Sequence, residues 1–107
     1  MENVDSKIIA EVKETYDKAN EIFKNVRSVK EFHDIMNHRS DIYLGAYDGY
    51  NNDYNLIDFM FGNCLFTIEI FNDKEPYIST DGIEYWYNEE EDYIILSIQF
   101  FLTKNNY

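Results

Sequence analysis

"NLIDFMFGNCLFTIEIF", residues 55–71, decides the fold. Apolar residues alternate on both sides of Gly62-Asn63, a dipeptide suited to a two-residue type II′ or I′ turn. Closing the chain there sets Phe61 opposite Cys64, Phe59 opposite Phe66 and Ile57 opposite Ile68. All six are apolar and share one face, as a sheet face against a core must. Met60–Leu65, Asp58–Thr67 and Leu56–Glu69 take the other face. A one-residue slip would mix the two sets, so the pattern specifies its own register.

Working outward toward the N-terminus, the period changes from two to three and four. In residues 5–26, Ile8, Ile9, Val12, Tyr16, Ala19, Ile22, Phe23 and Val26 form one apolar stripe, which predicts a helix of about six turns. Lys7–Glu11 and Glu14–Lys18 are placed on its solvated face as i,i+4 pairs, each worth about 0.3 kcal/mol. "SVKE", Ser28 to Glu31, has the form of a capping box. A second helix is therefore expected over about 29–38, with Val29, Phe32, Ile35 and Met36 on one face. "IYLGAY" (42–47) then reads as a strand.

Toward the C-terminus, "NDKEP" (72–76) interrupts the alternation, and Pro76 excludes a central strand there. A short "YIS" and the turn "TDG" lead to strands over about 83–88 and 93–102. Within them Trp86 is expected on the core side, with Tyr85 and Tyr87 outward. In the last strand Ile94, Leu96, Ile98, Phe100 and Leu102 face one way, and Tyr93, Ile95, Ser97, Gln99 and Phe101 the other. The expected architecture is a single α+β domain over 1–107. Its two N-terminal helices pack on one face of an antiparallel sheet of four or five strands, including 42–47, 55–61 and 64–71.

Composition bounds the function. A chain of 107 residues with 45% hydrophobic and 18% aromatic residues can build a core without staples. Its one cysteine, Cys64, excludes an internal disulfide, and neither a signal peptide nor an apolar run of the ~20 residues a membrane span needs is visible. A cytoplasmic chain is expected. The net charge of −12 is unevenly spread. Residues 1–39 hold 8 acidic and 7 basic side chains, whereas residues 40–107 hold 13 acidic ones against only Lys74 and Lys104. Nine of the ten tyrosines also lie in 40–107. Such a surface repels nucleic acid and anionic lipid and attracts basic partners.

Motifs for chemistry are weak. In "NNDYNLIDFMFG" (51–62), Asn51, Asp53 and Asn55 match the first calcium-loop positions, but Leu56 and Gly62 stand where Gly and Glu are required. His33-Asp34 is the dipeptide of HD-type phosphohydrolases. The only other histidine, His38, is five residues on, about 140° around a helix, so the imidazoles do not converge on an ion. Cys64 belongs to the core face of an acidic protein and reads as an inert thiol. No glycine-rich phosphate loop, G-x-S-x-G or C-x-x-C is present. No enzyme activity, metal or cofactor is expected.

The remaining signal is a surface. The outer sheet face is assigned Asp58, Met60, Leu65, Glu69, Phe71, Tyr85, Tyr87, Tyr93 and Phe101. Two acidic, tyrosine-flanked loops adjoin it: "YDGYNNDYN" (47–55), with Asp48, Tyr50, Asp53 and Tyr54, and "YNEEEDY" (87–93), with Glu89, Glu90, Glu91 and Asp92. Tyrosine offers large rigid contact area at little entropic cost. The partner expected is therefore a basic nucleic-acid-binding protein, such as a nuclease or effector complex, met by a monomer or homodimer.

In size, charge and lack of catalytic motif the chain resembles phage-borne anti-CRISPR inhibitors and immunity proteins of nuclease toxins. That likeness is of character, and no kinship to a family is implied. No strand carries acids at the i,i+2 spacing of about 6.6 Å, so a dispersed acidic interface is expected rather than a copy of duplex shape. The alternatives are that the C-terminal "TKNNY" (103–107) or a second copy covers this face, or that the chain is a self-associating or small-ligand-binding module, similar in layout to cystatin-like or NTF2-like domains.

Overall fold

Both periodicities become elements in the computed structural model, which describes residues 6–44, 55–86 and 93–97. Helix α1 spans Ser6–Phe23 and α2 spans Val29–Asn37. Six strands follow: β1 Ile42–Leu44, β2 Leu56–Phe61, β3 Cys64–Glu69, β4 Tyr77–Ile78, β5 Asp81–Trp86 and β6 Tyr93–Ser97. They form one antiparallel sheet in the order β1-β2-β3-β5-β6, with β4 pairing only β3.

The β2–β3 register matches the alternation pair for pair, from Leu56–Glu69 through Phe61–Cys64. Gly62 at the turn has φ +63, and Asn55 is the only non-glycine with positive φ among the described residues. Positive φ at the first turn residue alone is the type II′ form, which glycine adopts without strain. Ile57, Phe59, Phe61, Cys64, Phe66 and Ile68 are all buried on the face under the helices. Phe59 stands edge-on to Phe23 at 5.2 Å and to Phe32 at 5.7 Å, and 5.5 Å from Phe66. Phe23 and Phe32 stack at 4.7 Å, so one aromatic cluster joins both helices to the sheet. Tyr16 adds a tie at the other end, its hydroxyl donating to the Ile78 carbonyl at 3.3 Å.

Helix α1 ends three residues before the expected Val26. The chain turns after Phe23: the Val26 N–H donates to the Phe23 carbonyl at 3.0 Å. Arg27 Nη1 donates to the carbonyls of Lys24 and Val26. The first of these bonds satisfies a carbonyl that the helix end leaves open, and Val26 stays buried although it is not helical. Helix α2 starts where the capping box places it. Ser28 Oγ accepts from Glu31 N–H at 3.1 Å, and Glu31 Oε1 accepts from Arg27 N–H at 2.7 Å.

The later strands depart from expectation in three ways. Tyr77–Ile78 and Asp81–Trp86 both pair with β3, at different ends of it, so the short "YIS" piece contributes a strand of its own and β5 begins inside the expected "TDG" turn. The register between β5 and β6 shifts between Asp81 and Ile83, where Gly82 takes φ +79. Strand β3 stops at Glu69, so Phe71, expected on the outer sheet face, lies beyond the strand with the Lys74 ammonium 4.4 Å over its ring. Residues 45–47 of the first expected strand, 87–88 of the penultimate one and 98–102 of the last lie outside the described residues.

Candidate protein-binding face

The face of β2, β3 and β5 turned away from the helices carries residues that core packing does not explain. Its central row follows the pairing across five strands: Tyr43, Met60, Leu65, Glu84 and Ile95. At the usual strand separation this row is roughly 19 Å long. Tyr43 is 62% exposed and Ile95 59%, with Met60 and Leu65 half-buried between them. A second row sets Leu56 beside Glu69 and Glu69 beside the exposed Tyr77.

Three carboxylates punctuate this apolar surface. Asp58 Oδ1 accepts from the Thr67 hydroxyl at 2.7 Å across the β2–β3 pair. Glu84 Oε1 accepts from the Trp86 indole N–H at 3.0 Å along β5. Glu69 is half-buried at the end of β3. None of the six strands contains a lysine, arginine or histidine. The ion pairs formed among the described residues, Glu14–Lys18, Glu21–Lys24, Lys30–Asp34 and Arg39–Asp41, all lie in or beside the helices. In the last of these, Arg39 holds the Asp41 carboxyl below its ordinary range.

The structure reverses two assignments in β5. Tyr85, expected outward as a contact residue, is only 6% exposed on the helix side. Trp86, expected in the core, is half-buried on the outer face. Pairing is the cause: Tyr85 lies opposite core-facing Cys64 and Ile94, so its neighbour Trp86 must point the other way. Tyr85 is also held by helix α1, where its hydroxyl donates to Glu11 Oε1 at 3.0 Å while Asn63 Nδ2 donates to Oε2 at 3.0 Å. Glu11, placed on the solvated helix face by its spacing from Lys7, thus clamps the β2–β3 turn and β5 to α1. Burial and this hydrogen bond to a carboxylate raise the Tyr85 phenol above its ordinary value.

Of the other expected contact residues, Asp58 and Glu69 lie on the outer face as assigned. Tyr93 pairs with Trp86 at the start of β6. Asp48, Tyr50, Asp53, Tyr54, Tyr87, Glu89, Glu90, Glu91 and Asp92 lie outside the described residues. Tyr43, Tyr77 and Ile95 were not singled out from sequence. The available signal for Tyr43 was its parity against buried Ile42 in a strand pairing the known hairpin.

The chemistry of the remaining candidates is structural. Burial, aided by nearby Glu11, pushes the Cys64 thiol up to about 12, so it stays protonated and un-nucleophilic at neutral pH. His38 Nδ1 lies 2.7 Å from the Asp34 carbonyl at the C-terminal end of α2. Leu56 to Phe61, which a calcium loop would need, belong to β2. Among the described residues no group of three or more His, Cys, Asp or Glu could hold a metal ion. Nor, among them, is any helix long and apolar enough to cross a membrane. Comparison of the chain with protein-family models, with curated proteins and with solved structures finds no match in any of the three.

Proposed function

We propose that this chain is a small acidic inhibitor that binds a basic, nucleic-acid-handling protein and competes with that protein's nucleic acid. The observation that carries the reading is the sheet itself, whose strands hold no cationic side chain and whose outer face mixes carboxylates with exposed aromatic and aliphatic residues. Carboxylates occupy the role of phosphates against Lys and Arg, and rings occupy that of stacked bases. While the basic channel is filled, its nucleic acid is excluded. Inhibition then needs neither a catalytic group nor a metal in this chain.

The fitting settings are a bacterial cytoplasm, with the chain as a phage-borne inhibitor of a nuclease defence or as an immunity protein against a nuclease toxin. Tyr85 is withdrawn from the contact set, since it serves the core. The interface proposed comprises Asp58 and Glu69, the two acidic tyrosine-rich loops, and Tyr43 and Trp86 in its place.

The test is capture from a bacterial lysate on the immobilised chain, elution with salt, and assay of the eluted protein for nuclease or nucleic-acid binding. The expected result is a basic nucleic-acid-binding protein whose activity falls on adding the chain. Replacing Tyr50, Asp53 and Tyr54 together with alanine should leave folding intact and abolish capture. Retention of no such protein would overturn the reading. It would favour the second one, self-association through the exposed Tyr43 and Ile95, which light scattering would reveal as a stable dimer.

A further inference from the structure

We propose that the docking element of the partner is a cationic amphipathic segment, seated on the outer sheet face and not on the helical layer, where lysines stand among the acids. This inference rests on the inhibitor reading and names the surface and the chemistry it takes. The two layers differ in how their acids are compensated. On the helices, Glu14, Glu21 and Asp34 each lie 3.0–3.6 Å from a lysine of the same helix or its end. On the sheet face, Asp58 and Glu84 accept from neutral donors, a hydroxyl and an indole, and neither has an ion pair among the described residues. Glu69 has no ion pair among the described residues. A half-buried carboxylate without a counter-charge gains more from an incoming guanidinium than an exposed, already paired one does.

The apolar row narrows the occupant further. A purely polycationic chain would leave Tyr43, Met60, Leu65 and Ile95 uncovered, whereas an amphipathic segment covers them while its cations reach the flanking carboxylates. The row's roughly 19 Å matches about 13 residues of α-helix at 1.5 Å each. Nucleic acid and anionic lipid are repelled by the same carboxylates. A second copy meeting this face about a two-fold axis would bring an identical set of acids against them.

Trp86, the single tryptophan of the chain, lies on this face and reports on it directly. The probe is a synthetic helical peptide of about 14 residues with leucines along one stripe and arginines beside it, free of Trp and Tyr, titrated into the full chain at low salt. Binding should shift and quench Trp86 emission saturably and weaken steeply with added salt. Glu69→Lys with Glu84→Lys should raise the Kd at least tenfold, while Glu14→Lys with Glu21→Lys, an equal change in net charge, should raise it less than threefold. Should the lysine pair disturb folding, Glu69→Gln with Glu84→Gln should still raise it about threefold.

Equal weakening by the two lysine pairs, binding seen by calorimetry without a Trp86 response, no binding at all, or a dimer that buries Trp86 would each overturn the proposal. Peptide binding that passes these tests while no nucleic-acid-handling protein is captured would remove the inhibitor reading and leave the docking face. Partner capture unaffected by the sheet-face variants would remove the docking face and leave the inhibitor reading.

Discussion

Phe59 and Met60 are successive residues of one strand with opposite surroundings. Phe59 is fully buried among Phe23, Phe32 and Phe66. Met60 lies half-buried between Tyr43 and Leu65 on a face that no described helix covers. Packing explains the inner face, where Phe59 and Phe66 meet each other and rings from the helices. It does not explain the outer face: Tyr43 and Ile95 stand exposed there, and its carboxylates have no ion pair among the described residues. Residue types that folding does not require are the ones that function has to explain.

The largest separation between the two faces should come from truncating these neighbours. Phe59→Ala should cost about 3–5 kcal/mol by removing the centre of the aromatic cluster. Met60→Ala, with less area lost from a half-buried site, should cost about 1 kcal/mol or less. Urea denaturation of both variants measures the difference, and similar losses would mean that the outer face is also core.

Alkali should act on the inner face. The Cys64 thiol is raised from 9.0 to about 12, and Tyr85 and Tyr16 are raised too, all chiefly by burial. A raised value favours the protonated form in the fold. The stability from these groups is therefore complete below the unfolded values and is lost as pH climbs toward the folded ones. Melting temperature should fall between pH 9 and 12, and a thiol reagent should leave Cys64 unmodified at pH 8 unless denaturant is present.

At the hairpin tip, Gly62→Ala should destabilise by about 1–2 kcal/mol. It places a Cβ at φ +63, about 1 kcal/mol in itself, and 3.3 Å from Thr15 Cγ2. Tyr85→Phe should cost about 1 kcal/mol through the lost bond to Glu11. The smallest effect sharpens the comparison most. Glu69→Gln and Glu84→Gln should change stability by less than about 0.5 kcal/mol, either unchanged or slightly favourable, because neither has an ion pair among the described residues. Two clearly destabilised glutamine variants would show that these acids belong to the fold.

What could be read in the sequence divides along similar lines. The β2–β3 register was legible residue by residue because a two-residue turn and a strict period of two leave one solution. The capping box likewise located the start of α2. The end of α1 was overrun because Val26 continues the apolar spacing even after the helix has stopped, and a turn keeps it buried. In β5, alternation from buried Ile83 puts Tyr85 inward and Trp86 outward, against the expectation of Trp86 on the core side. What settles Tyr85 inward is its pairing opposite Cys64 and Ile94, and its hydroxyl then reaches Glu11, 74 residues away. Long-range partners of this kind, like the pairing of Tyr77–Ile78 with β3, leave no local trace. The outer face is half legible: Asp58, Met60, Leu65 and Glu69 follow from the hairpin and Ile95 from alternation in the last strand, whereas Tyr43 needs the strand order.

The central claim is that cationic protein surfaces meet this molecule on the sheet and not on the helices. Amide NMR of the labelled chain during titration with the arginine–leucine peptide measures it most directly. The account predicts shifts concentrated at Met60, Leu65, Thr67, Glu84, Trp86 and Ile95, with Glu14, Asp17 and Glu21 unmoved. Shifts centred on α1, or spread evenly over both layers, would contradict it.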